Sequence, residues 1–77
     1  MVHAFIMVRT GTGASEAGVE AIRGLPEVTD AHIVAGDYDI VAEVEVDDIY
    51  NILHAAASKI QGIEGISETK TYISLSD

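Results

Sequence analysis

A repeat at an offset of thirty-eight residues constrains this 77-residue chain more than any other feature. Ile22-Arg-Gly-Leu-Pro-Glu-Val-Thr-Asp30 aligns with Ile60-Gln-Gly-Ile-Glu-Gly-Ile-Ser-Glu68. A helix end, a glycine, an apolar residue and an apolar-hydroxyl-acid strand start recur in that order. The same offset sets Ala4 on Ala42, Ile6 on Val44 and Val8 on Val46. A chain this short buries too little surface for each half to stand alone. The halves must share one core, which makes residues 1–77 a single domain.

The hydrophobic pattern gives each half its elements. Val2 to Arg9 is a nearly continuous apolar run and reads as a strand with two apolar faces. Val2, Ala4, Ile6 and Val8 point one way; His3, Phe5, Met7 and Arg9 point the other. Thr10-Gly-Thr-Gly13 then opens a helix over Ala14 to Arg23, with Val19, Ile22 and Leu25 inward. Gly24 stands where a left-handed cap is expected, and Pro26 prevents continuation. Val28 to Ala35 reads as a second strand, and Gly36-Asp-Tyr38 as a turn. Asp39 to Val46 alternates cleanly, with Ile40, Ala42, Val44 and Val46 on one side and Glu43 and Glu45 on the other. Asp47 and Asp48 supply capping groups for a second helix. Its inner stripe is Ile49, Ile52, Leu53, Ala56 and Ile60. Gly62 ends it, and Ile66 to Leu75 is the last strand. Two β-α-β units joined by a hairpin describe an α+β, ferredoxin-like βαββαβ antiparallel sheet with both helices on one face.

That architecture leaves one sheet face uncovered. Phe5, Met7, Ile33, Val41 and Ile73 are expected on it, and an open apolar face of several hundred Å² marks an association surface. A dimer stacking two sheets, a dimeric α/β barrel, would bury it, with Glu43 and Glu45 near the rim. With no cysteine in the chain, disulfides and thiolate metal sites are unavailable, so self-association is the expected source of extra stability.

Charge excludes other roles. Thirteen Asp and Glu oppose four Lys and Arg, a net charge of −9, which repels a phosphate backbone and argues against direct nucleic-acid binding. The same surplus suits a halophilic source, whose concentrated salt screens carboxylate repulsion. The sequence has neither a membrane-spanning apolar stretch nor a signal-peptide pattern, so a cytoplasmic location is expected.

The candidate chemistry is sparse. His3, His32 and His54 sit on three different elements without metal-ligand spacing, so no metal is expected. Asp37 and Asp39 could form an acid/base pair, but no nucleophile or electrophile accompanies them. Thr10-Gly-Thr-Gly13 lacks the lysine of a Walker loop and the third glycine of a dinucleotide fingerprint, so it reads as a plain turn with no cofactor. The hairpin Gly36-Asp37-Tyr38-Asp39 stands out. A tight turn explains Gly36, which can take positive φ, and Asp37. It does not explain Tyr38, whose ring between two carboxylates could close over a small ligand bearing an ammonium group. Thr69 and Thr71 project from one face of the last strand and could hydrogen-bond a ligand carboxylate.

Val34-Ala-Gly-Asp-Tyr-Asp-Ile-Val41, the acid-initiated helix, Ile60-Gln-Gly-Ile-Glu-Gly-Ile66 and Thr69-Lys-Thr-Tyr-Ile73 together resemble the effector-binding (RAM) domain of Lrp/AsnC regulators. The resemblance covers essentially the whole chain. It implies sheet-to-sheet dimers that assemble further into rings, and amino acids or similar effectors bound between dimers. It implies a ligand site at Gly36, Asp37, Tyr38 and Asp39, with Thr69 and Thr71. Family regulators carry a helix-turn-helix domain ahead of this one. The first strand here begins at Val2, so a stand-alone effector domain is expected, one that binds an effector or co-assembles with full-length regulators to modulate transcription. Two alternatives share the topology. One is a small dimeric α/β-barrel enzyme resembling a monooxygenase, which needs an enclosed pocket often holding His, Asn or Trp. The other is an ACT-type regulatory domain, whose ligand would lie at Gly11 and Gly13.

Overall fold

The alternating apolar residues form four strands in the computed structural model, which describes residues 1–76 and, within them, all side chains except those of Leu53, Ala55, Ala56 and Ala57. The order is β1 (Val2–Thr10), α1 (Ser15–Arg23), β2 (Val28–Ile33), β3 (Ile40–Val46), α2 (Ile49–His54), a π-helical continuation of α2 over Ala55–Ile60, and β4 (Ile66–Ile73). The sheet runs β2-β3-β1-β4 with every neighbouring pair antiparallel. This is the ferredoxin-like βαββαβ arrangement that two β-α-β halves require.

Period-two alternation decides the core. Ala4, Ile6 and Val8 of β1 lie opposite Val44, Ala42 and Ile40 of β3, so all six share one face. With Ala31 of β2 they pack against Val19 and Ile22 of α1 and against Ile52 and Ile60. The repeat-matched pairs Ala4/Ala42, Ile6/Val44 and Ile22/Ile60 are all fully buried. Each isoleucine or valine contributes about 1.5–3 kcal/mol when fully buried, and each alanine less, so the repeat doubles one set of core contacts.

Register also moves residues from where alternation alone places them. Ile33 pairs with Ile40 and Ile73 with Ala4, which sets both on the helix side and off the open face. The open face instead carries Phe5, Met7, Val41 and Tyr72 among polar neighbours. Glu43 is not at the rim: it lies on central strand β3 opposite Phe5, half-buried, 3.5 Å from the His3 ring. Glu45 is exposed near the end of β3.

The helices end differently from expectation. Gly24 closes α1 at φ −76°, right-handed, its N–H shared between Glu20 and Ala21 carbonyls. The left-handed glycines are Gly13, at φ +77°, and Gly65, at φ +94°. Asp48 does cap α2, accepting the Asn51 N–H at 2.9 Å. Ile49 is half exposed, and Leu53 and Ala56 of the expected stripe lie outside the described side chains. Ile52 and Ile60 are eight residues apart, a spacing that a regular α-helix rotates by roughly 80°. The wider i→i+5 turns over Ala55–Ile60 wind less per residue and keep both isoleucines on the sheet side. No helix among the described residues is long and apolar enough to cross a membrane.

Candidate functional site

The segment joining β2 to β3, residues 34–39, is anchored to the end of β1 by Asp39. Its N–H donates to the Val8 carbonyl at 2.9 Å and its carbonyl accepts the Val34 N–H at 2.8 Å. One carboxylate oxygen accepts the Thr10 N–H at 2.8 Å and the Thr10 hydroxyl at 3.3 Å. A carboxylate spent on a backbone N–H fixes the loop base rather than waiting for a ligand. The loop spans six residues, so it has no need of the positive φ of a two-residue hairpin, and Gly36 does not adopt one.

From that base the loop folds over the open face and is held by Arg9. The Arg9 Nε and Nη2 groups both donate to the Asp37 carbonyl, at 3.2 and 3.0 Å, and Nη1 donates to Glu68 Oε1 at 3.2 Å. The guanidinium lies 4.8 Å from the centre of the Tyr38 ring, and the Tyr38 hydroxyl donates to Glu68 Oε2 at 3.2 Å. Each contact is partly solvated and contributes only about 0–1 kcal/mol. Together they tie three segments: β1, the loop and β4.

Beneath the loop is a cleft of about 460 Å³. Met7, Val41 and Tyr72 form its floor and Val34 to Tyr38 its wall. An apolar floor with a cation, a carboxylate and backbone carbonyls at its border suits a small amphipathic molecule. Thr69 and Thr71 are elsewhere. They pair with Val8 and Ile6, which turns their side chains to the helix side, and Gln61 Nε2 donates to Thr69 Oγ1 at 2.6 Å. Within one protomer the sheet therefore separates the 36–39 loop from the two threonines.

Arg9 and Glu68 were not singled out from sequence. Each has the open-face parity of its strand, but only the β1–β4 register, a pairing fifty-nine residues apart, brings them together. Two of the three histidines pair singly, His3 with Glu43 and His32 with Asp30 at 2.9 Å. No group of three metal-ligating side chains converges among the described residues. Away from the loop, Lys59 hydrogen-bonds Glu27 and holds its carboxyl below the ordinary range, against the opposing effect of burial.

Comparison with known proteins agrees with this geometry. The Lrp/AsnC ligand binding domain family matches residues 3–77. An uncharacterized HTH-type transcriptional regulator of Pyrococcus horikoshii is 31% identical over 74 residues, 92% of this chain and 49% of the regulator. The leucine-responsive regulatory protein of Haemophilus influenzae is 28% identical over 53 residues, 69% of this chain and 32% of that protein. The chain thus spans about half or less of the curated relatives it matches. The crystal structure of TTHA0845 from Thermus thermophilus superposes with a TM-score of 0.95 at 31% identity, covering 100% of this chain and 96% of that one. On fold, residues and coverage, this chain belongs to the Lrp/AsnC ligand-binding domain family.

Proposed function

We propose that this domain binds a small amphipathic effector, an amino acid or close analogue, and through it biases the assembly of a transcriptional regulator. The observation that carries the reading is the 34–39 loop held over an apolar cleft by Arg9, Tyr38 and Glu68. An apolar side chain fits the Met7, Val41 and Tyr72 floor. The Asp37 and Glu68 carboxylates and loop carbonyls suit an ammonium group, and Arg9 suits a carboxylate. One relative is named for its response to leucine, and the relatives are transcriptional regulators, which favours regulation over catalysis.

Gly36, Asp37, Tyr38 and Asp39 are proposed as the ligand loop, with Asp39 setting its shape. Thr69 and Thr71 face the other way, so a ligand touching both groups would bridge protomers. The open face, with Phe5 and Tyr72 exposed, is proposed as the homodimer surface, and higher oligomers or full-length regulators as further partners. Binding that differs between assembly states shifts the balance between them, which is how such a site would regulate at a distance.

The test is a thermal-shift screen of the twenty amino acids in concentrated salt, suited to a −9 chain, with light scattering on the same samples. A ligand at about 100 times its dissociation constant adds about 2.7 kcal/mol of stability. Tyr38→Ala should abolish the shift of any amino acid that stabilises the wild type. If none of the twenty moves either the midpoint or the particle size, the effector reading fails.

A further inference from the structure

On the open face a carboxylate stands among apolar neighbours. Glu43 lies on β3 opposite Phe5, between β1 and β2, and its side chain is only 34% exposed. Its ion-pairing partner among the described residues is a histidine. His3 Nε2 lies 3.5 Å from Glu43 Oε1, and the His3 side chain is covered to the same degree. The His3 ring packs beside Phe5, centroids 5.0 Å apart, which keeps it over the sheet. The charged groups that face this pair from neighbouring strands are acids and one more histidine. On β3, Glu45 stands directly across from His3. On β2, Asp30 lies opposite Glu43 and holds His32 at 2.9 Å. On β4, Ser74 lies beside His3 and donates its N–H to the His3 carbonyl, with Tyr72 next along the strand face, opposite Phe5. On β1 itself the amino terminus at Met1 is close in sequence, and Met1 is exposed. Arg9 and Lys70 lie at the far end of the face, Arg9 paired with Glu68 and Lys70 opposite Met7. With neutral imidazoles, this end of the face carries three carboxylates and no side-chain cation.

We infer that His3 is a proton-dependent latch on the open face, closing it when charged and loosening it when neutral. The inference rests on the homodimer reading above and adds the condition under which that surface operates. Two copies packed on this face take Glu43 out of water. A buried carboxylate without a counter-charge is costly, and one beside a charged, hydrogen-bonded partner is much less so. Protonated His3 supplies that partner to Glu43 and also faces Glu45; neutral His3 supplies none. Imidazole changes charge between about pH 5 and 8, a window in which the acids of the face stay ionised. The closed face holds the His3 proton more tightly than the open one. Association therefore takes up protons and strengthens as pH falls through the histidine range. Each dimer contains the pair twice, so its association constant changes by at most about 100-fold per pH unit. His32 and Asp30 are closer together, but they sit on an outer strand with side chains 57% and 51% exposed, where water screens them. Position, rather than distance, selects His3.

The test is sedimentation over a concentration series, in concentrated salt held constant, from about pH 8 to about pH 6. The wild-type chain should associate at least about tenfold more tightly at the acid end. His3→Gln should remove most of that change, whereas His32→Gln and His54→Gln should keep it. Glu43→Gln should associate at the alkaline end about as tightly as the wild type does at the acid end, and lose most of its pH dependence. Diluting the wild-type dimer in weakly buffered solution near neutral pH should release protons, a readout that needs no variant. A wild-type dimer whose tightness ignores pH, or a pH dependence that survives in His3→Gln, would overturn the latch and leave the homodimer standing. A chain that stays monomeric at every pH would overturn both. Neither result depends on the effector screen.

Discussion

Arg23 and Gln61 occupy matching positions in the two halves, as do Ala31 and Thr69, yet one pair covers a backbone carbonyl at the sheet edge and the other does not. In the first half the guanidinium of Arg23 reaches past the side chain of Ala31 and covers its carbonyl. In the second, the shorter amide of Gln61 stops at the Thr69 hydroxyl. Asp30 and Glu68 differ in the same spirit. Asp30 bonds back to the next N–H of its own strand and to His32. Glu68, one methylene longer, reaches Arg9 on β1 and Tyr38 on the loop. At these matched positions the duplicated scaffold turns Arg23 and Asp30 onto their own half, while Glu68 reaches across to β1 and the 34–39 loop. The repeat fixes where these residues stand, and their chemistry decides what each edge can do.

The broadest challenge to this comparison is the core. Ile22 and Ile60 are matched and both fully buried. Truncating either to alanine should cost about 2–5 kcal/mol in denaturant unfolding. If Ile60→Ala costs less than half as much as Ile22→Ala, the π-helical segment carries less of the core than the regular helix. A smaller difference is expected at the glycines. Gly65→Ala forces a left-handed residue and sets its Cβ 2.9 Å from the Ala14 Cβ. It should cost more than the roughly 1–2 kcal/mol of the conformational penalty alone. Gly13→Ala meets nothing within 4 Å and should cost only that penalty.

Exchanging the edge residues sharpens the contrast. Arg23→Gln should lower stability by about 1 kcal/mol and quicken amide exchange along β2. Gln61→Arg should cover the Thr69 carbonyl and slow amide exchange along β4. Unchanged exchange in the second variant would count against the difference between the matched positions. The smallest effect concerns Glu27, which stands where the second half has Gly65. Its pKa is lowered in the folded state, chiefly by the Lys59 hydrogen bond. The pair therefore stabilises the fold above the ordinary carboxyl pKa, and that contribution is lost as pH falls through the lowered value. Glu27→Gln should cost about 1 kcal/mol or less at neutral pH, the difference from wild type shrinking in acid. A gap that stays constant with pH would remove the ion pair as its cause.

Much of the scaffold was legible in the sequence because its signals are local. Strand alternation placed Ala4, Ile6, Val8, Ala42 and Val44 inward, and Asp48 announced its helix. The misreadings share one cause. Pattern alone expects Ile33 and Ile73 on the open face, Glu43 at its rim and Gly24 in a left-handed cap. Face and rim depend on partner strands, and the cap depends on how the next strand starts. The candidate site was legible as a loop but not as an arrangement. Tyr38 was visible as a residue the turn did not need, whereas its partners Arg9 and Glu68 were not.

By itself, the sequence determined the βαββαβ order, the composition of the core and the surplus of carboxylates, because periodicity and duplication act within a few residues. Only the tertiary structure decided which face the threonines take, that Asp39 is committed to Thr10, and that Glu68 meets Arg9 and Tyr38. Each of those depends on registers between strands distant in the chain, where a shift of one residue sends every side chain to the opposite face.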